Sequence, residues 1–138
     1  MEAGPTAGVA VRVEHESGDR FRVCIRQHTL HVDQPQVDGG GDTAPTPTEL
    51  FIAGLAACVG FYVRRFLSRH NHPVDGLAVT SKVEYGTRPY RVSRISLGVS
   101  GVSQLPPEVQ TSLLAVAARC TVHNSLRQPP EVSIAVSG

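Results

Sequence analysis

The chain has 138 residues, of which 41% are hydrophobic, and a formal net charge of +1 at neutral pH. This length suits one domain, so we expect a single domain over residues 1–138. The nearly balanced charge provides no electrostatic footprint for nucleic acid or an anionic membrane surface. The N-terminal residues lack the pattern of a signal peptide, and the three cysteines are too few and odd in number for a secreted disulfide scaffold. We therefore expect a cytoplasmic protein.

Alternation of apolar and polar residues predicts three β-strands in the N-terminal third of the chain. Residues 8–15 and 21–25 both alternate, and Ser17-Gly18-Asp19 between them is a turn signal, so residues 9–26 are predicted to form a β-hairpin. Residues 28–33 are predicted to form a third strand. The segment 34–45 contains three consecutive glycines and is expected to be a flexible loop.

A strong helix start follows at Thr46-Pro47-Thr48-Glu49. Thr46 can cap the helix, Pro47 suits its first position, and Glu49 completes a capping box. The helix is predicted to run from Pro47 to about His70. The run from Leu50 to Val63 is apolar on every side, which indicates a helix buried in the middle of the protein, and it is too short to span a bilayer.

The second half of the chain is predicted to contain a second hairpin, formed by residues 74–85 and 90–100. A second helix opens at residues 104–108 and ends near Cys120, with a short helical turn after it through Leu126. A last strand is predicted over Val132 to Val136. The order β-β-β-α-β-β-α-β indicates an α+β fold with antiparallel sheet around a buried central helix.

Cys58 and Cys120 are the residues most able to carry chemistry. Cys58 lies deep in the apolar helix, where a cysteine is often only a small core residue, but the small residues near it, among them Gly54 and Gly60, would let a substrate or another backbone approach the sulfur. Cys120 follows the second helix near Arg119, where a positive charge and the start of the next turn favour the thiolate. Packing at a helix end is the alternative for Cys120.

Two segments resemble signatures of the OsmC/Ohr family of organic hydroperoxide resistance proteins. Residues 45–58, which end at Cys58, resemble the central-helix motif of that family, and residues 118–126, which contain Cys120, resemble its second cysteine motif. The resemblance implies an OsmC-like fold and an intertwined homodimer. It also implies that Cys58 is the peroxidatic cysteine, Cys120 the resolving cysteine, an organic hydroperoxide the substrate, and a dithiol or lipoyl-type compound the reductant.

The resemblance is incomplete at the charged residues that assist the cysteine in the family's peroxidases. Those enzymes carry a Glu where this chain has Thr48, and Glu49 lies one position later, which rotates it by about 100° around the helix. Glu49 is thus a candidate for that role, with a capping box as its alternative explanation. For the family's Arg, the nearest match is Arg20 in the first hairpin.

Two functions follow from these residues. The first is a thiol-dependent peroxidase that reduces organic hydroperoxides through Cys58 and Cys120, assisted by Arg20 and Glu49, in an oxidative stress response. The alternative is a dimeric OsmC-like binding or redox-sensing module with little peroxidase turnover. The six histidines have no metal-binding spacing, so neither a metal nor another cofactor is expected. The sequence assigns no role to Cys24.

Overall fold

A computed structural model describes residues 11–138 of the chain. These residues form two compact units, one that ends at Ala53 and one that comprises Gly54–Gly138. Val9, which the sequence places in the first strand, lies outside the described residues. The single domain over residues 1–138 stays a prediction.

The first unit contains a three-stranded antiparallel sheet with the strand order β1-β2-β3. Its strands are β1 (Val11–Ser17), β2 (Arg20–Ile25) and β3 (His28–Val32). The register sets Val13 opposite Val23 and Val23 opposite Leu30, so the alternation predicted from the sequence yields one apolar face. The other face is charged, because Arg22 lies opposite Glu14 and donates to its carboxylate at 2.9 Å.

The central helix α1 begins and ends with capping motifs. It spans Pro47–Arg69. The backbone N–H of Thr46 donates to Glu49 Oε1 at 2.9 Å, and the backbone N–H of Glu49 donates to Thr46 Oγ1 at 3.0 Å, which is the predicted capping box. At the other end, Asn71 has a φ of 58° and the His72 N–H donates to the Leu67 carbonyl at 2.8 Å. This is the Schellman pattern, which satisfies carbonyl groups of the last helical turn.

The helix α1 is buried along one side rather than all round. Leu55, Val59 and Val63 are buried, whereas Phe51 is 43% exposed. The sequence predicted that α1 is buried on every side. Within a single chain, this prediction is confirmed for one side of the helix only. Length and composition alone would allow this helix to cross a membrane, but 44% of its most apolar window is buried inside the protein, and core helices of non-membrane proteins share these properties.

The second unit packs a two-stranded antiparallel sheet and two short helices around the larger part of α1. Its elements are β4 (Ala78–Gly86), β5 (Arg91–Ser100), α2 (Pro107–Ala117) and α3 (Thr121–Arg127). The side chains of this unit that are almost completely inaccessible are Val63 and Leu67 of α1, Leu113 of α2, and Cys120. They belong to one hydrophobic cluster, against which Val79 and Ile95 of the hairpin also pack. The core thus joins α1 to the segment that carries Cys120.

The prediction of a C-terminal strand over Val132 to Val136 is wrong for the single chain. Residues 128–138 form no strand, and Val132, Ile134 and Val136 are almost fully exposed. A strand requires a neighbouring strand to receive its backbone hydrogen bonds. The alternation of apolar residues indicates the capacity for a strand, but the described chain supplies no partner for it.

We predict that Leu113→Ala destabilises the protein by about 2–5 kcal/mol, because it removes a completely buried side chain from the core and leaves a cavity. Leu114→Ala is the matched control, since Leu114 lies in the same helix but is 54% exposed. The control should change the free energy of unfolding by less than about 1 kcal/mol. Urea denaturation of both variants measures the difference, and equal losses of stability would contradict this account of the core.

Candidate functional site

Cys58 lies on the buried side of α1, in the same cluster as Leu55 and Tyr62. Leu55 precedes it by one helical turn and Tyr62 follows it by one turn, so the three side chains share a face of the helix. The α1 side chains that share this face with Cys58 are therefore apolar, apart from the phenol of Tyr62. Such surroundings suit the alkyl part of an organic molecule better than a small polar one.

Small residues of α1 near Cys58 line an open groove, but the approach of a substrate to the sulfur itself stays a prediction. An open groove of about 280 Å³ runs along α1, lined by Ala56, Ala57 and Gly60 and by residues 77–79 at the start of β4. A Cβ atom at Gly60 would lie 3.5 Å from Val79 Cγ2. The neighbouring segment that comes close is thus the hairpin of the same unit. Ala56 and Gly60 each lie two residues from Cys58, which is about 200° around the helix, so the groove lies on a different side of α1 from Cys58.

Cys120 occupies the N-cap position of α3. Its backbone is extended, with φ −66° and ψ 153°, and its Sγ atom accepts a hydrogen bond from the backbone N–H of His123 at 3.4 Å. The side chain is 0% exposed and is a thiol rather than part of a disulfide. The predicted short helix after Cys120 is confirmed, and it supplies the sulfur with a backbone donor. Helix-end packing and a polar contact coexist at this residue.

The structure brings both cysteines into one buried cluster. A hydrogen bond of 3.0 Å between Tyr62 Oη and Thr121 Oγ1 also links the two segments, since Tyr62 follows Cys58 by one turn and Thr121 follows Cys120 directly. Sequence reasoning did not single out Tyr62, because a tyrosine in an apolar helix carries no signal of a distant partner. The formation of a disulfide between Cys58 and Cys120 stays a prediction.

Glu49 is exposed and its carboxylate is engaged in the capping box with Thr46. Arg20, in contrast, is held by two side chains of its own unit. Its Nε donates to Glu16 Oε1 at 2.9 Å, and its Nη1 donates to Thr43 Oγ1 at 2.7 Å. The structure thus connects Arg20 to Glu16 and Thr43, and it connects Glu49 to the start of the helix. Catalytic roles for Arg20 and Glu49 stay predictions.

Asp33 is a buried charged residue of the first unit, and sequence reasoning missed it. It is 2% exposed and its carboxylate accepts hydrogen bonds from the backbone N–H of Gln34 at 2.7 Å and from the N–H and hydroxyl of Thr43 at 3.1 and 2.6 Å. Because the Thr43 hydroxyl donates its hydrogen to Asp33, the lone pairs of the Thr43 oxygen are available to accept a hydrogen bond from Arg20. Arg20 is therefore oriented through Thr43 by a buried carboxylate.

The loop around Asp33 is an ordered turn rather than the flexible connection expected from its glycines. The Asp42 N–H donates to the Gln34 carbonyl at 2.9 Å, and residues 36–38 form a single 3-10 turn. Gly39 has a φ of 97°, which favours glycine, and a Cβ atom at Gly40 would collide with the Gln34 carbonyl oxygen. Two of the three glycines are thus required by the backbone of this turn.

Cys24 lies on the charged face of the three-stranded sheet, opposite Arg12 and Thr29. It is partly exposed and is a thiol. Within residues 11–138, no three side chains of His, Cys, Asp or Glu are grouped in a way that could hold a metal ion.

We predict that Asp33 makes stability depend on pH in the acid range. The Thr43 hydroxyl and then the Gln34 N–H lower the pKa of Asp33 from 3.8 to about 2. A carboxylate whose pKa is lowered by folding stabilises the protein above its unfolded pKa, and this stabilisation is lost as the pH falls through the folded pKa. Asp33→Asn should therefore be less stable than wild type at pH 7, and the difference should shrink between pH 4 and pH 2.

Urea midpoints of wild type and Asp33→Asn across this pH range measure the effect. Asp38→Asn is the matched control, because Asp38 is an exposed carboxylate in the same loop. A difference between wild type and Asp33→Asn that stays constant from pH 7 to pH 2 would contradict a charged, hydrogen-bonded Asp33.

Comparisons of the sequence and of the structure with known proteins point to the same family. The model of the family described as "OsmC-like protein" matches residues 39–135. Among solved structures, an osmotic stress induced and detoxification response protein from Psychrobacter arcticus is 19% identical, with a TM-score of 0.79 over 89% of this chain and 91% of that one. An organic hydroperoxide resistance protein OsmC from Legionella pneumophila is 24% identical, with a TM-score of 0.60 over 88% and 92%. No curated protein matches the chain.

A third solved structure is an organic hydroperoxide resistance protein from Vibrio cholerae with captopril bound in one of its active sites. It is 20% identical, with a TM-score of 0.65 over 94% of this chain and 92% of that one. At these identities the likeness establishes the fold, and the α+β architecture with antiparallel sheets agrees with the prediction from the sequence.

Proposed function

This chain belongs to the OsmC-like family, and we propose that it is a thiol-dependent peroxidase that reduces organic hydroperoxides. The observation that carries the proposal is the burial of Cys58 and Cys120 in one cluster, with the Tyr62–Thr121 hydrogen bond between the segments that bear them. The names of the structures from Legionella and Vibrio as organic hydroperoxide resistance proteins support the same chemistry.

The proposed reaction oxidises the enzyme in two steps. The Cys58 thiolate attacks the terminal oxygen of the hydroperoxide, the O–O bond breaks, and the alkoxide takes up a proton and leaves as an alcohol, so that Cys58 becomes a sulfenic acid. The Cys120 sulfur then attacks the sulfenic sulfur, a disulfide forms, and water leaves. A dithiol or lipoyl-type reductant reduces the disulfide through thiol exchange and is itself oxidised to a disulfide.

The substrate preference follows from the surroundings of Cys58. Leu55 and Val59 are buried near it, in a cluster that consists mainly of aliphatic side chains. An alkyl or aryl group gains about 25 cal/mol for each Å² of apolar surface that it buries there, a gain that hydrogen peroxide cannot make. We therefore propose that organic hydroperoxides are preferred over hydrogen peroxide.

A nearby cation favours the thiolate form of a cysteine, which is the nucleophile of the proposed reaction. We keep Arg20 as the proposed cation. Its support is the family resemblance together with the fixed orientation of its guanidinium by Glu16 and Thr43. Because Glu49 is engaged in capping α1, we assign the orientation of Arg20 to Glu16 and to the Asp33–Thr43 pair.

A homodimer is part of the proposal because one chain leaves several apolar surfaces without cover. Val11, Val13 and Leu30 are about half exposed on the apolar face of the three-stranded sheet. Val132 and Ile134 alternate along a C-terminal segment that has no sheet partner in the described chain. A second copy of the chain can cover such surfaces and can supply the missing strand edge. We also propose a cytoplasmic location, because cysteines are kept reduced by dithiol reductants in that compartment.

We predict a stable dimer at micromolar concentration, to be measured by sedimentation velocity. Ile134→Asp should weaken it, since a charge would replace an apolar side chain in the interface, whereas Ser137→Asp in the same segment is the matched control. A wild-type protein that sediments as a monomer would contradict the dimer.

We predict that the protein consumes cumene hydroperoxide in the presence of a dithiol and that Cys58→Ser abolishes this activity. Cys120→Ser should retain a first turnover but accumulate the sulfenic acid, because Cys58 alone carries the first step. Cys24→Ser is the control and should match wild type, since Cys24 lies on the charged face of the sheet. Absence of any Cys58-dependent consumption would replace the peroxidase with the alternative, a dimeric binding or redox-sensing module.

A further inference from the structure

Tyr62 is buried in the core, yet its hydroxyl group makes a directional contact with the segment that carries Cys120. It is 5% exposed, and its Oη lies 3.0 Å from Thr121 Oγ1. We propose that Tyr62 is a positioning residue that holds Cys120 in place for its attack on oxidised Cys58. The inference rests on the proposed peroxidase function and deepens it, since it concerns the second chemical step alone.

The geometry connects Tyr62 to the segments that carry both cysteines. It shares a face of α1 with Cys58, one turn away, so its position is fixed relative to that sulfur by the helix itself. Thr121 is the first residue of α3 and follows Cys120, whose extended backbone links α2 to α3. The hydrogen bond therefore ties the start of α3 to the helix that carries Cys58.

Apolar packing alone would hold Cys120 less strictly. The cluster around it consists mainly of aliphatic side chains, whose attraction is not directional. A disulfide, in contrast, requires Cα atoms within about 7 Å and a narrow range of dihedral angles. A hydrogen bond between two side chains adds the orientation that packing does not supply.

The two steps of the reaction should respond differently to the loss of this bond. The attack of Cys58 on a hydroperoxide does not involve Cys120, so its rate should not change. The attack of Cys120 on the sulfenic acid depends on the approach of the two sulfurs and should slow down. A sulfenic acid that lives longer is also more exposed to further oxidation to the sulfinic acid.

The test uses the full-length protein and compares Tyr62→Phe, Thr121→Val and the double variant with wild type. Both substitutions remove the hydrogen bond and keep the shape of the side chain. Samples are mixed with one equivalent of cumene hydroperoxide, quenched over time, and analysed by mass spectrometry for sulfenic acid trapped by dimedone and for the disulfide. Thr121→Ser keeps the hydroxyl group, and Tyr90→Phe removes a phenol that is 75% exposed, so both are controls.

We expect peroxide consumption in the first turnover to stay within about twofold of wild type in every variant. Disulfide formation should slow roughly five- to tenfold in Tyr62→Phe, which is about the effect of one lost hydrogen bond. Thr121→Val should slow it equally, and the double variant should be no slower than either single variant, because the two residues act through one bond. Thr121→Ser and Tyr90→Phe should match wild type. Disulfide formation at the wild-type rate in Tyr62→Phe, or an equal slowing of both steps, would overturn the proposal.

A second oxidant separates this proposal from the proposed function. Diamide takes two electrons and two protons from a pair of thiols and so joins Cys58 to Cys120 without a peroxide step. If cumene hydroperoxide leaves wild-type Cys58 unchanged but diamide forms the disulfide more slowly in Tyr62→Phe, the peroxidase fails and the positioning role of Tyr62 stands. If diamide oxidises wild type and Tyr62→Phe at the same rate, the positioning role is overturned.

Discussion

The complete burial of Cys120 against the central helix is the constraint on which the proposed chemistry of this protein depends. Cys120 is 0% exposed, and it shares its cluster with Val63, Leu67 and Leu113. Protein interiors are packed as densely as organic crystals, so a side chain in this position has few alternative arrangements. The packing of α1 against α2 thereby keeps the second sulfur in the core, and the hydrogen bonds from the His123 N–H to that sulfur and between Tyr62 and Thr121 add the orientation that packing does not supply.

The first unit depends on a different interaction, the buried carboxylate of Asp33. Its hydrogen bonds close the loop that leads to the central helix, and through the Thr43 hydroxyl they also set the orientation of Arg20. A carboxylate that accepts several hydrogen bonds stays ionised well below its usual pKa, so the network keeps its negative charge at physiological pH. The guanidinium of Arg20 is thus held by the charge of Glu16 on one side and by a polarised hydroxyl group on the other.

Local patterns in the sequence predicted the parts of the fold that local chemistry decides. The capping box at Thr46 and Glu49 predicted the start of α1, and alternation predicted the first hairpin. The capping and alternation signals arise within a few residues along the chain, where propensity and capping act directly. The pairing of Cys58 with Cys120 was implied by the family resemblance instead; the structure places both in one buried cluster, and the pairing itself stays a prediction.

The remaining features depend on contacts between segments that are distant in sequence. The segment around Ile134 alternates like a strand, but a strand exists only where another edge receives it. Asp33 precedes a glycine-rich loop, which is a weak hint of a turn, yet its hydrogen bonds appear only once the loop has closed. The contact between Tyr62 and Thr121 likewise requires the folded core. Asp33, Tyr62 and Thr121 carry no periodic or motif signal, so the sequence alone did not predict their contacts.

The central claim is that Cys58 and Cys120 form the reacting pair. The most direct test is to treat the reduced protein with one equivalent of cumene hydroperoxide, to digest it without reductant, and to identify the linked peptides by mass spectrometry. The account predicts a peptide pair joined through Cys58 and Cys120, with Cys24 recovered as a thiol. A disulfide that involves Cys24, or recovery of both Cys58 and Cys120 as thiols, would contradict it.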